Sequence, residues 1–186
     1  MSIVLHVCCG PCTAYPLKKL RQEGIEPWGF FFNPNVHPFR EFKRRLQALE
    51  EFSQLTDFQV KIVRDYGMRE YLRQVVHQEE KRCLLCYEMR LSRTVEYAVE
   101  QRAEAFSSTL LYSRYQNHKL LRDVADDLAA RYKVPFYYED FREGWQEGID
   151  MSLEMGLYRQ PYCGCIYSEQ ERYDKKFRKK KRQIMK

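Results

Sequence analysis

A chain of 186 residues, 44% hydrophobic and 31% charged, is sized for one folded domain with a full core, which excludes disordered and collagen-like chains. No stretch approaches the roughly 18 uninterrupted apolar residues that span a bilayer, and no basic leader precedes the first apolar run, so a cytoplasmic protein without a membrane anchor is expected. The formal charge of +6 belongs to the end of the chain, since Gln170 to Lys186 hold nine Lys or Arg against two Asp or Glu; such a tail suits nucleic-acid phosphate and equally suits a solvated helix end.

Apolar runs alternate with amphipathic segments. Residues 3–7 predict a strand, 14–23 a helix, 27–32 a strand, 39–55 a helix and 58–63 a strand. An amphipathic stretch at 68–76 leads to a long helical pattern over 87–103, a strand at 105–108, a helix over 120–132 and a strand at 135–138. This order predicts an α/β fold with a Rossmann-like, mainly parallel sheet flanked by helices. With no linker-like composition, residues 1–173 are expected to form a single domain and 174–186 a basic tail. Residues 77–100 and 142–168 are candidates for a cysteine-bearing addition and a helical lid.

Ligands of such sheets bind beyond the carboxyl ends of the strands. There, after the first strand, stands Cys8-Cys9-Gly10-Pro11-Cys12-Thr13. The chain has no GxGxxG, no GxxxxGK[ST] and no Ser-Gly-Gly run, so thiols occupy the place where a nucleotide-binding protein keeps its phosphate loop. The absence of that loop weighs against a tRNA-modifying ATPase.

The seven cysteines fall into three groups: Cys8, Cys9 and Cys12; Cys83 and Cys86; Cys163 and Cys165. An odd count in a reducing compartment argues for metal or redox chemistry over a disulfide framework. A C-x-x-C at Cys83 and Cys86 turns two sulfurs toward one centre, and Gly164 permits the bend that a C-x-C requires. Cys8 and Cys9 can share a site only if the strand ends beside them. Any one group alone is equally explained by a zinc knuckle, a thiol redox pair or a buried strand residue. Together they exceed the four ligands of one zinc and the two thiols of a redox pair. Seven thiolates suit an iron–sulfur cluster with a second metal beside it.

The motifs Leu5-His6-Val7-Cys8-Cys9-Gly10-Pro11-Cys12, Phe32-Asn33-Pro34-Asn35-Val36-His37-Pro38, Arg82-Cys83-Leu84-Leu85-Cys86-Tyr87 and Leu157-Tyr158-Arg159-Gln160-Pro161-Tyr162-Cys163-Gly164-Cys165 stand in this order. With Phe106-Ser107-Ser108-Thr109, Tyr115-Gln116-Asn117-His118 and Asp140-Phe141-Arg142, they make the chain resemble the epoxyqueuosine reductases of the QueH type up to about residue 173. The commoner family form has Ala before the proline, where this chain has Gly10.

The resemblance implies an adenine-nucleotide α-hydrolase-like fold, a [4Fe-4S] cluster with an additional mononuclear iron, and reductive removal of the epoxide oxygen of epoxyqueuosine at the wobble position of tRNA. It implies as partners a tRNA anticodon region and a ferredoxin-like or other one-electron donor. On this reading Cys83, Cys86 and Cys165 with Cys9 hold the cluster, and Cys8, Cys12 and Cys163 the iron, with the first loop at the reacting centre. The alternative from another class is a non-catalytic, zinc-stabilised RNA-binding protein.

Asn33, Asn35 and His37 follow the second strand and are candidates for contacting the substrate, although Asn-Pro-Asn is equally a turn former. Arg90, Arg114, Tyr115 and Arg142 are candidate tRNA contacts or ordinary surface residues. Tyr158, Arg159, Gln160 and Tyr162 lie next to the C-x-C and are for that reason candidate substrate contacts. His6 reads as a satisfied core residue and His118 as part of a helix start.

Overall fold

The computed structural model describes residues 1–177; the basic run Arg178 to Arg182 lies outside the described residues. The elements are β1 (Ile3–His6), α1 (Gly10–Gln22), β2 (Trp28–Phe31), α2 (Phe39–Thr56), β3 (Val60–Ile62), α3 (Met68–Val75), α4 (Arg82–Glu100), β4 (Ala105–Ser108), α5 (His118–Tyr132), α6 (Trp145–Glu154) and α7 (Ile166–Tyr173). The four strands form one parallel sheet in the order β3-β2-β1-β4, with Leu5 paired to Gly29 on one side and to Ser107 on the other. The expected α/β alternation is therefore present. Because β1 is central and buried along its whole length, its residues are apolar apart from His6.

Three boundaries differ from the sequence expectation for local reasons. Helix α1 begins at Gly10 because Pro11 in the first turn needs no hydrogen-bond acceptor. Helix α4 begins at Arg82, which puts Cys83 and Cys86 on its first turns. The strand expected at 135–138 is only a single bridge between Phe136 and Phe106. Pro135 has no N–H to extend the ladder, and the chain turns away where the Asp140 side chain caps the 3-10 turn at Phe141–Gly144.

One core runs through the sheet and its helices, and a smaller one gathers Tyr71, Val75, Cys86 and Cys165. No described helix is long and apolar enough to cross a membrane.

At Gly10 the backbone of α1 lies close against α2. A Cβ there would lie 2.5 Å from the Ala48 carbonyl oxygen and 3.1 Å from Phe52 Cβ. Ala normally stabilises a helical position over Gly by about 0.5–1 kcal/mol, but this clash is with backbone and cannot be relieved by a side-chain turn. Gly10→Ala is expected to lower stability by about 1–3 kcal/mol, measured as a lower urea midpoint. An unchanged or higher midpoint would show that α2 yields freely.

Candidate metal centre and cleft

Strand β1 ends at His6, and the chain turns into α1 with Cys9 extended at the N-cap. Cys12 follows Cys9 by three residues and returns to the same face one helical turn on. The Sγ atoms of Cys8 and Cys9 are 3.8 Å apart, and the sulfurs of Cys8, Cys9 and Cys12 all lie within 4.8 Å of one another. Among the described residues no other group of His, Cys, Asp or Glu ligand atoms is gathered so tightly. Thr109, just past the end of the neighbouring β4, accepts from the Cys8 N–H (3.1 Å) and donates to the Cys8 sulfur (3.4 Å). Hydrogen bonds with Cys12 and Cys9 hold the Cys8 thiol well below the ordinary thiol range, while those with Cys8 and Cys9 push Cys12 well above it. Burial raises Cys9. The three sulfurs form one packed set of donors.

The other four thiols converge from two elements. Cys83 and Cys86 come from α4, while Cys163 precedes α7 and Cys165 is its N-cap, its sulfur accepting from the Ser168 N–H (3.4 Å). Burial pushes Cys86 up to about 12 and also raises Cys83, and the nearby Cys163 and Cys165 add to both effects. Cys86 and Cys165 are buried against Tyr71, whose hydroxyl is buried without a partner, while Cys83 and Cys163 reach the surface.

The strap carrying Cys163 and Cys165 is tied down from below. Gly164 sits at φ +147°, and a Cβ there would be 3.1 Å from both Arg45 Nη1 and Asn35 Nδ2. The His37 N–H donates to the Gly164 carbonyl (2.8 Å). Arg45, buried and paired with Glu41 at 2.8 Å, donates to the carbonyls of Cys163 (2.7 Å) and Tyr162 (2.8 Å).

A second buried guanidinium stands between the two thiol groups. Arg90 donates to Asn33 Oδ1 (2.6 Å) and His6 Nε2 (3.3 Å), and its Nη1 is 3.8 Å from the Cys86 sulfur. The charges of Cys86, Cys8 and Cys163 all act on it. Burial, reinforced by Arg90, holds His6 down at about 3. The neutral ring therefore accepts from Arg90 at Nε2, which leaves Nδ1–H to donate to Ser108 Oγ (3.0 Å).

Above these groups opens a cleft of about 620 Å³ whose lining includes Cys8, Cys12, Tyr112, Trp145, Gln160 and Cys163. It joins both thiol groups to solvent. Gln160 donates to the Cys12 sulfur (3.0 Å), and its Oε1 is buried without a partner. Gln116 donates to the Cys163 sulfur (3.3 Å).

The structure sorts the other sequence candidates. Tyr115, Arg159 and Gln160 line the cleft. Asn33, Asn35 and His37 are buried and none of them lines the cleft. Asn33 bonds the Val7 carbonyl (2.9 Å), and His37 Nε2 lies 3.1 Å from the Pro34 carbonyl. Arg90 is buried and is not a surface contact. Arg142 is half-buried and pairs with Asp140, and Tyr158 bonds Glu41 (2.6 Å) outside the cleft. Asn117 caps α5 through the Leu120 N–H (3.1 Å), as its position before His118 suggests. Tyr112 and Trp145 carry no sequence signal of their place here and Arg45 only its helical spacing from Glu41, whereas Thr109 and Gln116 stand in the motifs behind the resemblance without an assigned role, and Thr109 also carries a topological signal, being at the carboxyl end of a strand.

The family model "Epoxyqueuosine reductase QueH" matches residues 3–171. A Dehalococcoides mccartyi protein named epoxyqueuosine reductase QueH is 38% identical over 174 residues, covering 94% of this chain and 96% of that protein. A Thermotoga maritima protein of the same name is 32% identical over 187 residues, covering 94% and 93%. One from Streptococcus pyogenes serotype M1 is 36% identical over 179 residues, covering 90% and 70%. Matched over nearly its whole length, and with members of two of its three cysteine groups lining one cleft, the chain belongs to the epoxyqueuosine reductase QueH family.

Proposed function

We propose that the protein reduces epoxyqueuosine to queuosine at the wobble position of a tRNA anticodon, with a [4Fe-4S] cluster and one further iron as cofactors and a ferredoxin-like or other one-electron donor as partner. The observation that carries this reading, on a chain of this family, is that Cys8 and Cys12 of one thiol group and Cys163 of the other line the same cleft. Both epoxide C–O bonds break and a C=C bond forms; the change takes up two electrons and two protons, and the oxygen leaves as water. Bound iron would supply the electron relay and a Lewis-acidic place for that oxygen.

The donor sets fit these groups. Three sulfurs within 4.8 Å suit one ion, and a trio of protein ligands leaves a coordination place open. The four thiols Cys83, Cys86, Cys163 and Cys165 stand in a looser group, as a cluster larger than one ion demands. This partition exchanges Cys9 and Cys163 relative to the sequence expectation. Burial of Cys9, Cys12, Cys86 and Cys165 keeps water from the inner face of both sets.

Gln160 lines the cleft with its amide N–H on the Cys12 sulfur, and its buried, unpartnered Oε1 would accept from a hydroxyl of the substrate's cyclopentane ring once substrate packs against this side chain. Gln160→Ala is expected to raise KM about three- to tenfold, the worth of one neutral hydrogen bond, with a smaller effect on kcat. Anaerobic steady-state kinetics check this, and an unchanged KM would remove Gln160 from substrate binding. The function itself is tested by incubating the anaerobically prepared holoenzyme and a one-electron donor with epoxyqueuosine-containing tRNA. Nucleoside mass spectrometry should show loss of one oxygen atom, whereas unaltered substrate with metal-loaded protein would overturn the assignment.

A further inference from the structure

We infer that Tyr115, at the mouth of the cleft, is a stacking platform for an unpaired nucleobase next to the modified nucleoside. The inference rests on the tRNA reading above and adds a binding subsite to it.

The Tyr115 ring is 84% exposed, the most exposed of the large apolar side chains among the described residues. A single exposed aromatic ring is ordinary; this one is mounted. It meets Trp145 in a T-shaped contact, with centroids 5.7 Å apart and planes at 77°. Trp145 is itself held by Tyr112, nearly parallel at 5.1 Å, and by the Arg114 guanidinium 5.6 Å from its ring centre. The Tyr112 hydroxyl donates to the Trp145 carbonyl (2.8 Å). Tyr115 therefore presents its ring from a braced aromatic stack, so little side-chain entropy remains to be lost when a ligand covers it.

The charge around it matches a single strand of nucleic acid. Arg114, Arg159 and Arg172 are exposed at or beside the cleft, and Arg159 and Arg172 form no ion pair among the described residues. Aromatic rings interleaved with cations are how proteins hold unpaired nucleotides, the cations following phosphate and the rings taking bases. Geometry supplies the last step. A nucleoside whose modified ring reaches Cys8 and Cys12 at the cleft floor remains joined to its neighbours, and that strand must leave past the lip where Tyr115 stands.

The test is binding of the metal-loaded protein to a fluorescent anticodon stem-loop containing epoxyqueuosine, with the base beside the wobble position intact or replaced by an abasic site on either side. Tyr115→Ala should bind the intact loop about tenfold more weakly, while Tyr115→Phe binds it like wild type. One of the two abasic loops should bind wild type and Tyr115→Ala equally weakly. Wild-type affinity in Tyr115→Ala for the intact loop, or the same loss on all three loops, overturns the platform. A wild-type protein that binds none of the loops overturns the tRNA reading and the platform with it. Circular dichroism of the variants separates these results from misfolding.

Discussion

Cys9→Ala and Cys165→Ala are expected to lose different amounts of iron. If the three-thiol set holds one ion and the four-thiol set a cluster, the wild-type protein reconstituted without oxygen should carry about five irons and four sulfides. Cys9→Ala breaks only the set whose sulfurs lie within 4.8 Å, so it should keep about four irons, about four sulfides and the brown colour of a cluster. Cys165→Ala removes a buried thiol that packs on Cys86 and caps α7. It should lose the sulfide and all but about one iron. Both should lose epoxide reduction, because the two sets serve one cleft. Iron, zinc and acid-labile sulfide on the same samples decide the matter. Equal loss of sulfide in the two variants would return Cys9 to the cluster, and a colourless, zinc-loaded wild type that cannot be reconstituted would favour the non-catalytic zinc alternative.

The sheet and the three cysteine groups were legible because both are written in local pattern. Alternating apolar runs and amphipathic segments do not depend on distant partners, and neither do C-x-x-C and C-x-C spacings. Which groups would meet was not legible, because the strap at 157–165 reaches α4 and the loop after β2 only through tertiary packing. The same strap explains the misplaced loop residues. Asn-Pro-Asn reports a turn, but nothing local tells that Gly164 will lie over it and bury Asn35 and His37. Two arginines were read as solvent-facing or passed over because arginine is almost always exposed. Yet their helical spacing carried a signal: Arg90 follows Cys86, and Arg45 follows Glu41, each by four residues, which puts each pair on one face of its helix.

Arg90 carries the sharper consequence, because its stabilising effect is expected to depend on metal. The guanidinium is only 2% exposed and pairs with no carboxylate among the described residues; the anions available to it are sulfurs of both thiol groups. Metal binding requires those sulfurs as thiolates, so the loaded protein surrounds Arg90 with negative charge. Removing one partner from a buried charge pair costs about 3–5 kcal/mol, and this loss comes on top of the hydrogen bonds to Asn33 and His6, worth about 1–3 kcal/mol, which the substitution removes with or without metal. Arg90→Met should therefore destabilise the metal-loaded protein by about 3–5 kcal/mol more than the metal-free protein. By linkage the difference is a loss of metal affinity of about two to three orders of magnitude. Urea melts of both forms, with chelator competition for the metal, close the cycle. Equal destabilisation of loaded and metal-free protein would mean that Arg90 acts only through its bonds to Asn33 and His6, as a strut between the β2 loop and β1. A larger effect in the loaded form identifies it as the fixed positive charge that lets one small core hold so many thiolates.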